Sequence, residues 1–261
     1  MFALLFCTLF SITSAMAQPN EQAFDLETHL LLNQLNAEDE AVTRGEELPL
    51  PEIACISLGE RCSAALAFRR RAISTAYYPF DFIATPLKGL HLLLKTTFRN
   101  FLNKKLLTVT KSNGAWLDET NRTIKAFGSV EKMVVVKNKR TGCDFVHDFK
   151  DEKLENYQTV FEKYQRRIDR FYRTITQAKH VYFFRTHMTK KEATELLATL
   201  KKAFPKKSFT LVAPTDPEHM QKPWHLAGVK EFLMYDNTSR SQKRHGSVAA
   251  WDNIFKTLGL L

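Results

Sequence analysis

Cys62 occupies a position suited to a reactive thiol. It follows the apolar run Ile53-Ala54-Cys55-Ile56-Ser57-Leu58 and a tight Gly59-Glu60 break, and it opens the helix-like stretch Arg61 to Phe68. Strand, glycine turn and helix would place its sulfur in a first helical turn. There the unpaired N–H groups and the positive end of the helix dipole favour thiolate over thiol. Arg61 pushes the same way, so the spacing predicts a depressed thiol pKa and an activated nucleophile. The same spacing also suits a small buried helix residue or half of a disulfide. A second chemical residue lies in Cys143-Asp144-Phe145-Val146-His147-Asp148-Phe149. Period-two alternation puts Cys143, Phe145, His147 and Phe149 on one face and Asp144, Val146 and Asp148 on the other. A histidine between phenylalanines is partly desolvated, which suits a neutral general base, and equally a buried histidine bonded to a backbone carbonyl.

The elements that must position these residues can be read from period and punctuation. Thr85-Pro86 is a helix-start signal, with Leu87, Leu90, Leu94, Phe98, Phe101 and Leu102 following at helical spacing. A long helix is predicted from about Leu154 to Ala178, its apolar stripe opposed by Lys163, Arg166, Arg167, Arg170 and Arg173. Those cations predict a solvated basic face, or a surface for acidic glycans, anionic lipid or acidic protein. Between the two helices lie short candidate strands, Thr123 to Phe127 and Lys132 to Val136. The last third alternates: strand 180–185, helix 190–203, strands 208–213 and 230–235, helix 247–258. That order predicts an α/β fold, a mostly parallel sheet flanked by helices in a three-layer, Rossmann-like plan, with a small β insertion. Such sheets place their sites at the carboxyl ends of strands.

The N-terminal segment sets the expected compartment. Residues 1–17 read as a signal peptide, a short apolar core ending in Ala15-Met16-Ala17, with the mature chain starting at Gln18. No stretch predicts a stable membrane span once that segment is removed. Residues 18–51 read as an acidic, partly helical linker, and residues 52–261 as one α/β domain. An exported chain keeps Cys55, Cys62 and Cys143 of its four cysteines, which allows one disulfide and a free thiol, or three free thiols. Three cysteines cannot staple a fold, so a hydrophobic core must carry it; 44% hydrophobic residues, 20 of them phenylalanine, suffice. The net charge of +10 predicts anionic partners. Nucleic acid is not expected, since the aromatics of the basic helices fall in phase with the core and not between the charges. Glycine-rich phosphate loops, Gly-x-Ser-x-Gly, Cys-x-x-Cys and His-Glu-x-x-His are missing from the sequence, so no cofactor or metal is expected. Asn121-Arg122-Thr123 and Asn237-Thr238-Ser239 have the form of glycosylation sequons.

Several spaced words occur in order: Ser57-Leu58-Gly59-Glu60-Arg61-Cys62, Tyr78-Pro79-Phe80-Asp81-Phe82, Phe145-Val146-His147-Asp148-Phe149, Tyr164-Gln165-Arg166-Arg167-Ile168-Asp169-Arg170-Phe171 and Phe183-Phe184-Arg185. Together they resemble a largely bacterial family of unknown function labelled "putative papain-like cysteine peptidase", over roughly residues 53 to 215. The resemblance implies Cys62 as nucleophile, His147 as base and a peptide or other acyl substrate. It also implies a papain-like architecture, a helical lobe bearing the cysteine and an antiparallel sheet lobe bearing the histidine. Asp81, the best-marked acidic position between the two, is the candidate that orients the imidazole, with Asp148 on the opposite strand face. Three functions stay open: a thiol hydrolase or acyltransferase, an α/β transferase for anionic or sugar-phosphate ligands with Arg61, Arg167 and Arg185 as clamp, and a non-catalytic exported module for anionic or glycan ligands.

Overall fold

A computed structural model describes residues 51–74, 76–111, 115–117, 123–125, 134–234 and 246–261. The segment read as a signal peptide, all but the last residue of the stretch read as a linker, both sequon-like triplets apart from Thr123, and the stretches 126–133 and 235–245 lie outside the described residues.

The chain is mixed α/β. Strand β1 (Ile53–Ser57) leads through a glycine turn into helix α1 (Ser63–Arg70). After β2 (Ile83–Ala84) come helix α2 (Leu87–Lys95), a short 3-10 turn (Lys104–Leu106) and β3 (Leu107–Lys111). A two-stranded hairpin of β4 (Ala115–Leu117) and β5 (Thr123–Lys125) precedes β6 (Val134–Asn138) and β7 (Asp144–Phe149). Helix α3 (Tyr157–Gln177), β8 (His180–Phe184), α4 (Lys190–Ala203), β9 (Phe209–Thr215), β10 (Val229–Leu233) and α5 (Val248–Thr257) complete the order.

Two sheets of four strands result. One is wholly parallel, in the order β1-β8-β9-β10, with Ser57 level with Phe184 and Phe184 level with Val212. Its alternating side chains enter two different apolar clusters. Ala54, Ile56, Val181, Phe183, Leu211 and Ala213 join the larger one with Leu196 and Leu200 of α4 and Phe171 of α3. Cys55, Phe184 and Val212 join the other with Phe68 of α1 and Trp251 and Phe255 of α5. The second sheet is antiparallel, in the order β2-β7-β6-β3. It has as many strands as the parallel sheet, four of the ten described, so it is not a small insertion. Residues of both sheets share the larger cluster, Val136 and Phe145 beside Phe183 and Leu211.

Four local expectations need correction. Helix α2 stops at Lys95, because Thr96 turns its hydroxyl back to Leu92 O (2.7 Å) and Thr97 and Phe98 take positive φ. Phe98, Phe101 and Leu102 are buried all the same, delivered by turns and not by a helix face. Pro86 is the cap of α2, not its first helical residue, and Thr85 supplies no capping bond. Helix α3 does not lie wholly against the parallel sheet. Tyr164 meets Phe145 of the antiparallel sheet edge-on at 5.4 Å, a contact worth about 0.5–1.5 kcal/mol beyond area burial. Two cations of its expected solvated face, Arg167 and Arg170, are each only 4% exposed.

Candidate active site

Cys62 is positioned by the β1–α1 turn. Gly59 and Glu60 both take positive φ, +74° and +76°. At Gly59 a Cβ would fall 2.9 Å from the Thr85 hydroxyl, so the close approach and the backbone both ask for glycine. The chain then enters α1 with Cys62 as its cap: its carbonyl accepts the Leu66 N–H at 2.9 Å, and its side chain makes no capping bond. The half-buried thiol packs on Ala65, Leu66, Tyr77 and Phe82. Its pKa is pushed up to about 11 by burial, which outweighs its own backbone N–H, while Glu60 raises it and Arg61 and Arg70 lower it. The predicted depression is therefore overturned: α1 is short, and apolar packing around the sulfur outruns its dipole. Cys55, Cys62 and Cys143 are all free thiols, so none of the disulfide alternatives is formed.

Tyr77 links the cysteine to a buried group of arginines. Arg69 lies over its ring at 3.8 Å and Arg167 at 5.4 Å, while Arg170 donates to its carbonyl at 2.9 Å. Asp81 is buried in the same turn. One of its carboxylate oxygens accepts the Tyr78 N–H at 2.9 Å and faces Arg69 at 3.8 Å. Burial raises its pKa to about 6, against the lowering effects of Arg69, the Tyr78 N–H, Arg167 and Arg170. These partners make Asp81 a brace between the 76–82 turn and the arginines.

His147 sits in β7, where the ladder is irregular. Val136 pairs with Phe145 and Val134 with Phe149, so three residues of β7 span one of β6. The simple alternation predicted for this strand is lost there: Phe145, Asp148 and Phe149 are buried and His147 is half-buried. Burial lowers the His147 pKa, Asp148 raises it and Lys163 lowers it, so the ring is neutral at pH 7. Asp148 itself is held down by Lys163 at 2.6 Å and by the Tyr164 hydroxyl at 3.0 Å, against its burial. Its charge is thus a carboxylate influence on His147. Arg167, over the Tyr164 ring at 5.4 Å, acts on both Asp81 and Asp148 and so joins the two sides.

The other two arginines are engaged elsewhere. Arg185 is buried and donates to Leu58 O and to Thr85 O, both at 2.9 Å, tying β8 to the turn before Cys62. Burial lowers its pKa to about 10, while Glu60, Glu192 and Cys143 raise it. Arg61 pairs with Glu60 at 3.1 Å. Glu60 also accepts the Thr186 hydroxyl at 3.2 Å. Arg61 and Arg185 thus share Glu60 as a neighbour, and Arg167 belongs to the Tyr77 group. Beyond β8 and β9, the Nδ1 atoms of His187 and His219 lie 3.1 and 2.7 Å from the two oxygens of Asp216. No group of three His, Cys, Asp or Glu among the described residues could hold a metal ion.

A family model described as "Putative papain-like cysteine peptidase (DUF1796)" matches residues 53–213. The chain belongs to that family. No curated protein and no solved structure matches it. The matched stretch contains Cys62, Asp81, His147 and all three candidate arginines. Cysteine at a helix start and histidine on an antiparallel sheet agree with a papain-like plan, whereas the helix that Cys62 opens packs on a parallel sheet. Asp216 and His219 lie beyond the match. His187 lies three residues past the end of β8, and Asp216 gave no signal in the sequence because its partners are 29 residues before it and three after.

Proposed function

We propose that this family member is a cysteine-dependent hydrolase of peptide or other acyl substrates, with Cys62 as nucleophile and His147 as its base. The observation that carries this is the place of Cys62: a half-buried thiol outside any disulfide, on the cap residue of α1 just past the carboxyl end of β1, where the first-turn N–H groups of the helix have no intrahelical acceptor. Those N–H groups would hold the oxyanion. A thiol held near pKa 11 is protonated at rest, so attack requires a base at that moment, and a neutral imidazole can serve. Acyl transfer to an acceptor other than water would use the same thioester. The arginine-clamp alternative gains less support, since Arg185 already serves two carbonyls and Arg61 a carboxylate. Export remains part of the proposal, with Gln18 as the mature N-terminus, as does a three-layer, Rossmann-like parallel half.

The test is labelling of the full chain with an acyl-directed, thiol-reactive probe, followed by peptide mapping. Modification of Cys62, lost in Cys62→Ala and slowed at least about 100-fold in His147→Ala, supports the proposal. Modification that persists in Cys62→Ala refutes it.

A further inference from the structure

The carboxyl edge of the parallel sheet carries a His–Asp–His cluster that the chemistry above leaves unused. Asp216 follows β9 and joins two imidazoles, one oxygen to each: Oδ2 to His187 Nδ1 at 3.1 Å and Oδ1 to His219 Nδ1 at 2.7 Å. The His219 backbone N–H also donates to Oδ1 at 3.0 Å. These bonds hold the Asp216 pKa near 2 against burial, so the carboxylate is ionised and can only accept. Each neutral ring must therefore carry its proton on Nδ1, which leaves a lone pair on each Nε2. His187 is fixed further. It sits at φ +52°, in the left-handed region that side-chain-bearing residues seldom occupy, and its N–H donates to Pro214 O at 3.0 Å. The side chains of His187, Asp216 and His219 are 26%, 22% and 35% exposed, so water reaches them.

The cluster shares an edge with Cys62. Strands β1 and β8 are adjacent and parallel, and Leu58 N–H still donates to Phe184 O at 2.8 Å as they end. Past that point Thr186, next to His187, donates to Glu60, two residues before Cys62. A base oriented by a carboxylate thus stands on the same end of the sheet as the nucleophile, separate from His147 on the antiparallel sheet.

We propose that His187, held by Asp216, is the base that activates water in the second half of the Cys62 reaction; this rests on the thiol-hydrolase reading. In the first half the thiol proton passes through His147 to the leaving group as the sulfur–acyl bond forms. In the second half, water oxygen bonds to the thioester carbonyl carbon and its proton goes to His187 Nε2. The carbon–sulfur bond breaks, the carboxylic acid leaves, and the proton returns from His187 to the Cys62 thiolate. Asp216 is a positioning residue, and His219 fixes Asp216 from its other side.

The test uses the full chain with p-nitrophenyl acetate, following both the first equivalent of nitrophenolate and steady turnover, with intact mass reporting acetyl-Cys62. His187→Asn is the chosen variant, because asparagine tolerates the left-handed backbone there. The expected result is an unchanged first equivalent, turnover lowered about 100-fold or more, and accumulation of acetyl-Cys62. Asp216→Asn should show the same split. An unchanged turnover in His187→Asn, or equal loss of both phases in a folded variant, overturns the inference and leaves the thiol-hydrolase reading standing. Absence of Cys62 acetylation in both the wild-type chain and His187→Asn removes both. Independently of any variant, nitrogen NMR of the wild-type imidazoles should show Nδ1-protonated rings at His187 and His219; an Nε2-protonated His187 overturns the assignment.

Discussion

At the scale of the residue, burial decides the protonation states. Arg61 and the start of α1 were expected to make Cys62 a thiolate, yet packing on Tyr77 and Phe82 pushes its thiol up to about 11. Alkylation of Cys62 by iodoacetamide should therefore keep rising as pH passes 9 and level off only near 11. A plateau already reached near neutral pH would mean a standing thiolate–imidazolium pair and would contradict this account. His147 can be tested through its neighbour. Lys163 lowers its pKa and Asp148 raises it. Lys163→Met removes the cation, so the His147 pKa should move up, though burial still holds it down. Proton NMR of the imidazole reads this directly, and a fall or no change would show that Lys163 does not act on the ring.

At the scale of the element, one contact shows how tightly two connections of the antiparallel sheet are joined. Gly89 lies in α2, where a Cβ would come within 2.1 Å of the Thr141 carbonyl oxygen. Both atoms are backbone-bound, since Thr141 sits in a turn held by Asn138, whose side chain accepts the Arg140 and Thr141 N–H groups at 2.9 and 3.0 Å. Gly89→Ala must push helix and turn apart, so it should lose about 3 kcal/mol or more in denaturant unfolding. A loss within ordinary surface values would show that α2 can slide. The same turn shows what could be read from the sequence. Elements with a strong period and local caps were legible: α4 spans the predicted residues, closed by the Thr189–Glu192 capping box, and β8, β9 and α5 lie within two residues of expectation. Strand β3 was not, because Leu107-Thr108-Val109-Thr110-Lys111 follows closely on apolar residues that recur at helical spacing up to Leu102. The partner that makes it a strand, β6, lies across the chain, and single-chain periodicity cannot show such pairing. At the site, the cap position of Cys62 was legible from the glycine turn. The burial of Arg167 was not, since it depends on Tyr77, 90 positions away, turning its ring beneath the guanidinium.

At the scale of the whole molecule, stability rests on packing and not on cross-links. Cys55, Cys62 and Cys143 form no disulfide among the described residues, so the melting temperature near pH 7 should be the same with and without a reductant; a fall on reduction would reveal a cross-link that these residues do not make. The buried acids also set an alkaline limit. Burial pushes Cys55 to about 12, Cys143 to about 11 and Tyr78 to about 12, from ordinary values of 9.0, 9.0 and 10.0. For such groups the folded chain keeps protons that the unfolded chain has begun to release, so the unfolding free energy falls as pH rises. Their contribution is whole below pH 9 and is lost as pH climbs through the folded values. Each unit of separation corresponds to about 1.4 kcal/mol, so the two buried thiols together bear on several kcal/mol, an order-of-magnitude figure. Denaturant melts in reductant should show stability declining as pH rises from about 9 to about 11. Cys143→Ala should decline less steeply over that range even though it starts lower from the cavity it leaves. Parallel slopes for the two proteins would mean that the Cys143 thiol is not the buried acid described here.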